Sequence, residues 1–181
     1  GPKTVAFLEK MMDILEHYRE MPEGKKDIYQ NFEYVYSLYY MGIAHFPSLV
    51  GYEKAYHCLE KTDEMLRKRG ELLTLYFAYE GFYEDAGNYR MAIAYKDSVI
   101  NTMGNENTAI VLAVTSSMYK EQAKCYARLH DYKNAYERME VYDSLREKVV
   151  DAESSELRAE MDTRYDLNHL ELEKERLTSR N

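Results

Sequence analysis

The sequence predicts an all-α protein built from antiparallel helical hairpins. Three observations carry that expectation. Apolar residues recur at spacings of three and four along most of the chain, the period of an amphipathic helix. Pro and Gly are scarce, at 3 and 8 of 181 residues, which favours long uninterrupted helices. Period-two alternation never lasts more than a few residues, so no strand is expected. The central stretch, residues 72–100, shows the pattern best. Tyr76, Tyr79, Glu80 and Tyr83 fall on one helical face, Ala86-Gly87-Asn88 stops the helix, and Tyr89, Ala92, Tyr95 and Val99 line a second face. Ala92 is small enough for two helices to approach closely there.

Taken in order, residues 3–21 form a first helix with Val5, Leu8, Met12, Leu15 and Tyr18 as its inner stripe, ended by Pro22 and Gly24. Residues 26–45 form an aromatic helix carrying Tyr29, Phe32, Tyr34, Tyr36, Tyr39 and Tyr40, broken at Phe46-Pro47-Ser48. Residues 51–69 follow, with Tyr52, Ala55, Tyr56, Leu59 and Leu66 inward, and Gly70 at the position of a left-handed C-cap. After the central pair and the loop 104–108, residues 109–129 form a helix punctuated by His130-Asp131. It pairs with residues 132–149 through Tyr132, Ala135, Met139 and Tyr142. Residues 151–177 are charged, lack Gly and Pro, and read as one further helix of about 40 Å.

Composition excludes several classes. The net charge is −8 and the pI near 5.2, so no clustered basic surface for nucleic acid is expected. The longest apolar run, residues 109–114, cannot cross a bilayer, and no signal peptide is present. Gly1-Pro2 reads as the remnant of a cleaved tag, which makes the chain an excised piece of a longer protein. Cys58 and Cys125 lie inside helices near the apolar faces and read as buried small hydrophobes, with a disulfide or metal site as the alternative. His17, His45, His57, His130 and His169 are scattered singly, no phosphate-binding glycine loop occurs, and no serine sits in a glycine elbow. No catalytic residue, cofactor or metal is expected, and no enzymatic activity.

The chain repeats. Gly51-Tyr52-Glu53-Lys54-Ala55 recurs as Asn88-Tyr89-Arg90-Met91-Ala92 and as Asp131-Tyr132-Lys133-Asn134-Ala135, with the alanines 37 and 43 residues apart. The preceding helices match through Leu38, Met41, Gly42 and His45, then Tyr76, Tyr79, Glu80 and Tyr83, then Tyr119, Gln122, Ala123 and Tyr126. Such self-similarity implies stacked hairpins that cover one another's apolar faces. It resembles the tetratricopeptide repeat (TPR). The resemblance implies a TPR-like α-solenoid over residues 3–149, with repeats at about 32–70, 72–104 and 109–149, an N-terminal capping helix, and a long charged C-terminal helix over 150–181. It departs from the family where Glu80 occupies the small-residue position, where no Trp opens a repeat and where no Pro closes one.

The C-terminal part adds to the resemblance. Asp143-Ser144-Leu145, Glu160-Met161-Asp162-Thr163-Arg164-Tyr165-Asp166 and the Leu/Glu/Lys run from Leu170 to Leu177 look like the TPR sensor region of Bacteroidetes membrane-bound regulators. These are two-component histidine kinases and related helix-turn-helix transcriptional regulators. The resemblance implies a periplasmic sensing domain whose last helix leads towards a membrane span in the parent; the alternative is a free-standing, cytoplasmic TPR adaptor. Leu167, Leu170 and Leu177 form a heptad seam of fewer than three heptads, short for a coiled coil. Two readings stand: a homodimer through this helix when a membrane segment holds two copies together, or an upstream part that folds back on the last repeat.

In such arrays the first helix of each pair lines a concave groove. Here that implies Tyr36, Tyr39 and Tyr40, then Thr74, Phe77, Gly81 and Glu84, then Ser117, Lys120, Lys124 and Arg128. The last three cations form one stripe. Beside an aromatic patch they suggest an extended peptide, protein or glycan ligand with an anionic end. The competing reading pairs Lys120 and Lys124 with acids such as Glu121 and Glu84 and makes the tyrosines stacked core. The paired asparagines of chaperone-binding TPRs are absent, which disfavours a co-chaperone role.

Overall fold

In a computed structural model of the chain, residues 1–21, 30–104 and 106–178 are described. They are helical, with no strand among them. The expected stop at residues 22–24, the start near residue 26 and the side chains of Tyr29, Phe32 and Leu177 lie outside the described residues. The helices are α1 (Pro2–Glu20), α2 (Gln30–Ala44), α3 (Pro47–Val50), α4 (Tyr52–Arg69), α5 (Leu72–Asp85), α6 (Tyr89–Met103), α7 (Ala109–Arg128) and α8 (Tyr132–Thr178). The expected break at Phe46-Pro47-Ser48 is one turn of helix, because Pro47 at its first position has no N–H to leave unbonded. Apart from α3, each helix packs against the next in the chain, from α1 on α2 to α7 on α8.

The repeated sequence marks equivalent places. Tyr52, Tyr89 and Tyr132 each begin a helix. Three helix ends close in the same way. The backbone N–H groups of Glu71, Asn88 and Asp131 donate to the carbonyls of Leu66, Tyr83 and Tyr126 at 3.0, 2.8 and 2.9 Å. That return bond needs a left-handed residue before it. Gly70 and Gly87 supply it at φ of 73° and 77°, and His130 does so at 59°. Asn88 then caps α6 by accepting from the Met91 N–H, and Asp131 caps α8 by accepting from the Asn134 N–H.

Leu8, Ile43, Ala44, Ala55, Cys58, Leu59, Ala78 and Phe82 form one core across α1, α2, α4 and α5. Ala92, Ile93 and Cys125 form a second between α6 and α7. Both cysteines are buried free thiols. Burial raises both, Cys125 to about 11, so neither is a thiolate near neutral pH. The backbone approaches most closely at two glycines. A Cβ on Gly42 would press on Leu8, and one on Gly81 would overlap the His45 ring.

Several inward assignments need correction. Tyr52 and Tyr56 are exposed, because the buried stripe of α4 is Ala55, Cys58, Leu59, Thr62 and Leu66. They stack on each other and flank Phe82 at 5.3 and 6.0 Å between ring centroids. In α5 the fully buried residues are Leu75, Ala78 and Phe82. Tyr79 and Tyr83 pack instead on Tyr95 of α6, at 4.6 and 5.7 Å. On α8, Tyr132 and Met139 are exposed, since α8 is last in the packing order and, among the described residues, packs chiefly on α7. Residues 132–149 and 151–177 are not two helices. With no Gly or Pro between them, α8 runs unbroken for 47 residues, about 70 Å.

Candidate functional site

A cleft of about 930 Å³ opens between α5 and α7, with α6 as its floor and the end of α2 at one side. The hairpin geometry creates it: α6 packs on both α5 and α7 and so holds them apart. His45 and Phe46 come from the end of α2, Tyr89 and Lys96 from α6. The α5 wall carries Glu80, Gly81, Glu84 and Asp85. The α7 wall carries Glu121, Lys124, Cys125 and Arg128.

Lys96 is the centre of the site. Only 1% exposed, it donates to Glu80 and, at 2.7 Å, to Glu84. An unpaired ammonium could not be buried at such a place. Burial alone would lower the Lys96 pKa, but the two carboxylates outweigh it and the net shift is upward. Burial also pushes Glu80 up, and the neighbouring Glu84 and Glu121 add to it against the pull of Lys96. Two carboxylates therefore hold one buried ammonium. The ion pair also explains the departure at Glu80. Where two apolar helices would need a small residue, α5 and α6 instead meet through opposite charges.

The walls differ in their spare charge. On α7, Lys124 pairs with Glu121 at 2.7 Å, while Arg128, one turn on, has no ion pair among the described residues. On α5, Asp85 accepts the Ser48 N–H at 2.8 Å and has no cationic side-chain partner among the described residues. His45 is half-buried beside Asp85. Burial lowers its pKa, and the Asp85 charge only partly offsets this. Gln122, fully buried below Lys124, donates to Asp97 at 2.6 Å and to the Ile93 carbonyl at 3.3 Å, tying α7 to α6.

Of the residues expected to line one groove, Gly81, Glu84, Lys124 and Arg128 come together in this cleft. Lys120 does not join them. It turns towards α8 and lies over the Tyr142 ring at 5.4 Å. Of the two pairings weighed for Lys124, the one with Glu121 forms, and Glu84 goes to Lys96. Tyr36 and Tyr40 line a separate cleft of about 680 Å³ with Met12, Arg19, Met65 and Lys68, between α1, α2 and α4. Arg19 donates to the Tyr36 hydroxyl and lies over its ring. Tyr39 packs edge-on against Tyr40 at 5.5 Å. Phe77 and Thr74 are half-buried and Ser117 is exposed, and none of them lines either cleft. Among the described residues no cluster suited to a metal ion is found, and no helix is long and apolar enough to cross a membrane.

Sequence reasoning passed over Asp85 and Lys96 and set His45 aside as a histidine scattered singly. For Lys96 a signal existed. It falls on the apolar stripe of α6, four residues after Ala92 and three before Val99, facing a helix whose small-residue position holds Glu80. Two misplaced charges of opposite sign on facing stripes point to each other. Asp85 and His45 carried no such signal, because only packing brings the ends of α2 and α5 together.

Compared with models of known protein families, with curated proteins and with solved structures, the chain finds no significant match.

Proposed function

We propose that this chain is a non-catalytic sensing domain: a TPR-like α-solenoid that binds a peptide, protein or glycan. In the parent it belongs to a membrane-anchored signal transducer, on the periplasmic side. The observation that carries this reading is the double role of α7. One side of it forms a wall of the charged cleft through Lys124 and Arg128. The other side is the bed of α8. There Lys120 lies over Tyr142, Arg138 lies over Tyr119 and Tyr126 at 5.5 and 6.0 Å, and Glu156 accepts the Ala109 N–H at 3.0 Å. A ligand that grips both cleft walls shifts α7, and α8 moves with it. The effect is only as large as the ligand's preference for one arrangement over the other. The long helix then delivers the change about 40 Å beyond Ala152, the last half-buried residue among those described.

A free-standing adaptor is the second reading. Leu157, Met161, Tyr165, Leu167 and Leu170 are exposed on α8, as a scaffold that docks other proteins would require. Thermal stabilisation by a panel of peptides and glycans, followed by amide exchange with a hit, separates the two. A sensor shows altered exchange in α7 and along α8 when the cleft fills. Protection confined to α5, α6 and α7 means the adaptor. In the parent reading frame, a hydrophobic span of about 20 residues shortly after Asn181 favours the sensor.

A further inference from the structure

Given that the cleft binds a ligand, as proposed above, we infer that it takes a dipolar one: a group bearing a cation and a carboxylate a side chain's length apart, as in a basic amino acid or a peptide ending in one. The walls are of opposite character. The α5 wall contributes three carboxylates, Glu80, Glu84 and Asp85, and no cation. The α7 wall contributes Lys124 and Arg128 against Glu121 alone. The internal pairs Lys96 with Glu80 and Glu84, and Lys124 with Glu121, use up most of these charges. What remains is Asp85 on one wall and Arg128 on the other, with the excess of carboxylate around Lys96 on the Asp85 side.

A purely anionic ligand would meet that excess at close range, and a purely cationic one would meet Arg128. A ligand with both charges satisfies each wall and leaves no charge uncompensated. Size agrees. Directly packed helix axes lie about 8–10 Å apart, and α5 and α7 are separated further by α6. Two charges on adjacent atoms could not reach both walls, whereas a guanidinium and a carboxylate joined by an arginine side chain can. Arg128 also suits the carboxylate, since its planar fork can bind both oxygens.

The test titrates the full chain calorimetrically with four probes. They are an N-acetylated tripeptide ending in arginine, its C-terminal amide, the same tripeptide ending in norleucine, and N-acetylarginine. The first binds, and removing either charge weakens it about two- to fivefold, as for a solvent-accessible ion pair. Arg128→Gln abolishes the difference between acid and amide. Asp85→Asn abolishes the difference between arginine and norleucine. Both variants keep the fold, checked by circular dichroism: Asn retains an oxygen for the Ser48 N–H, and Arg128 has no ion pair to lose among the described residues. N-acetylarginine matching the tripeptide identifies a small-molecule ligand, and a weaker N-acetylarginine identifies a peptide end. Equal affinity for the norleucine and arginine peptides overturns the dipole. So does a ligand from the peptide and glycan panel that binds when none of these probes does, and the binding cleft then still stands. Silence from probes and panel alike overturns both.

Discussion

His45 and Gly81 show how much one contact decides. Gly81 lies in a helix interior, where glycine is unfavourable relative to alanine by about 1 kcal/mol. Its absent side chain is what lets the His45 ring lie against α5. Gly81→Ala therefore destabilises despite its better helix propensity. Forcing a methyl into a packed contact costs about 1–3 kcal/mol, so after the propensity gain the net loss is up to about 2 kcal/mol, which lowers the thermal midpoint by a few degrees in a chain of this size. His45 also makes stability depend on pH. Its folded pKa lies below the ordinary 6.5, so as the pH falls through that value the unfolded chain takes up the proton first. The contribution is complete above pH 6.5, declines below it, and stops changing once the folded imidazole is protonated too. Urea midpoints at pH 7.5 and 5.5 should fall further apart for the native chain than for His45→Asn. Equal differences would dissociate the imidazole from the effect.

At the scale of elements, α5 and α6 are joined by tyrosine stacking and by one buried cation. Lys96→Met leaves Glu80 and Glu84 facing each other without their ammonium. Removing one partner of a buried pair costs about 3 kcal/mol. The double variant Glu80→Leu with Lys96→Met should recover most of that loss, because apolar groups replace the more buried pair and the carboxylate left over, Glu84, reaches solvent. Chemical denaturation of the two variants measures it, and a double variant no better than the single would show that the pair is not a self-contained unit. Some helix ends were legible beforehand, though not the continuation of α8 past Val149. Gly70 at its C-cap and Asn88 restarting the chain are local chemistry, governed by left-handed φ and side-chain capping. The inward faces of α4 and α8 were less legible. Tyrosine satisfies an apolar stripe with its ring and water with its hydroxyl, so periodicity alone does not say which of Tyr52 and Cys58 is the buried one.

At the scale of the whole molecule, α8 is partly a packed element and partly a projecting one. Up to Ala152 it carries half-buried residues, including Leu145 and Val149, while residues 153–171 are all exposed. Removing residues 161–181 keeps the Glu156 bond to Ala109, and the side chains over 161–171 that it deletes are exposed. The urea midpoint should then move by no more than about 0.5 kcal/mol equivalent, while the helical ellipticity falls. A large loss of stability would mean that the distal helix is held by a contact with a second copy. The candidate cleft belongs to this scale as well. Lys124 and Arg128 were legible as a stripe, because a spacing of four fixes their face. Lys120 belongs to the same stripe but not to the cleft, because α8 offers it the ring of Tyr142.

By itself the sequence determined the all-helical class, the joints at Gly70, Gly87-Asn88 and His130-Asp131 and the helix starts at Tyr52, Tyr89 and Tyr132, since these follow from local periodicity, capping and backbone freedom. Only the tertiary structure decided that Lys96 is buried between two carboxylates, that Asp85 and His45 meet at the end of α2, and that one wall of the cleft is acidic and the other basic. Those facts depend on the distances between helices far apart in the chain, and packing sets such distances where no local pattern records them.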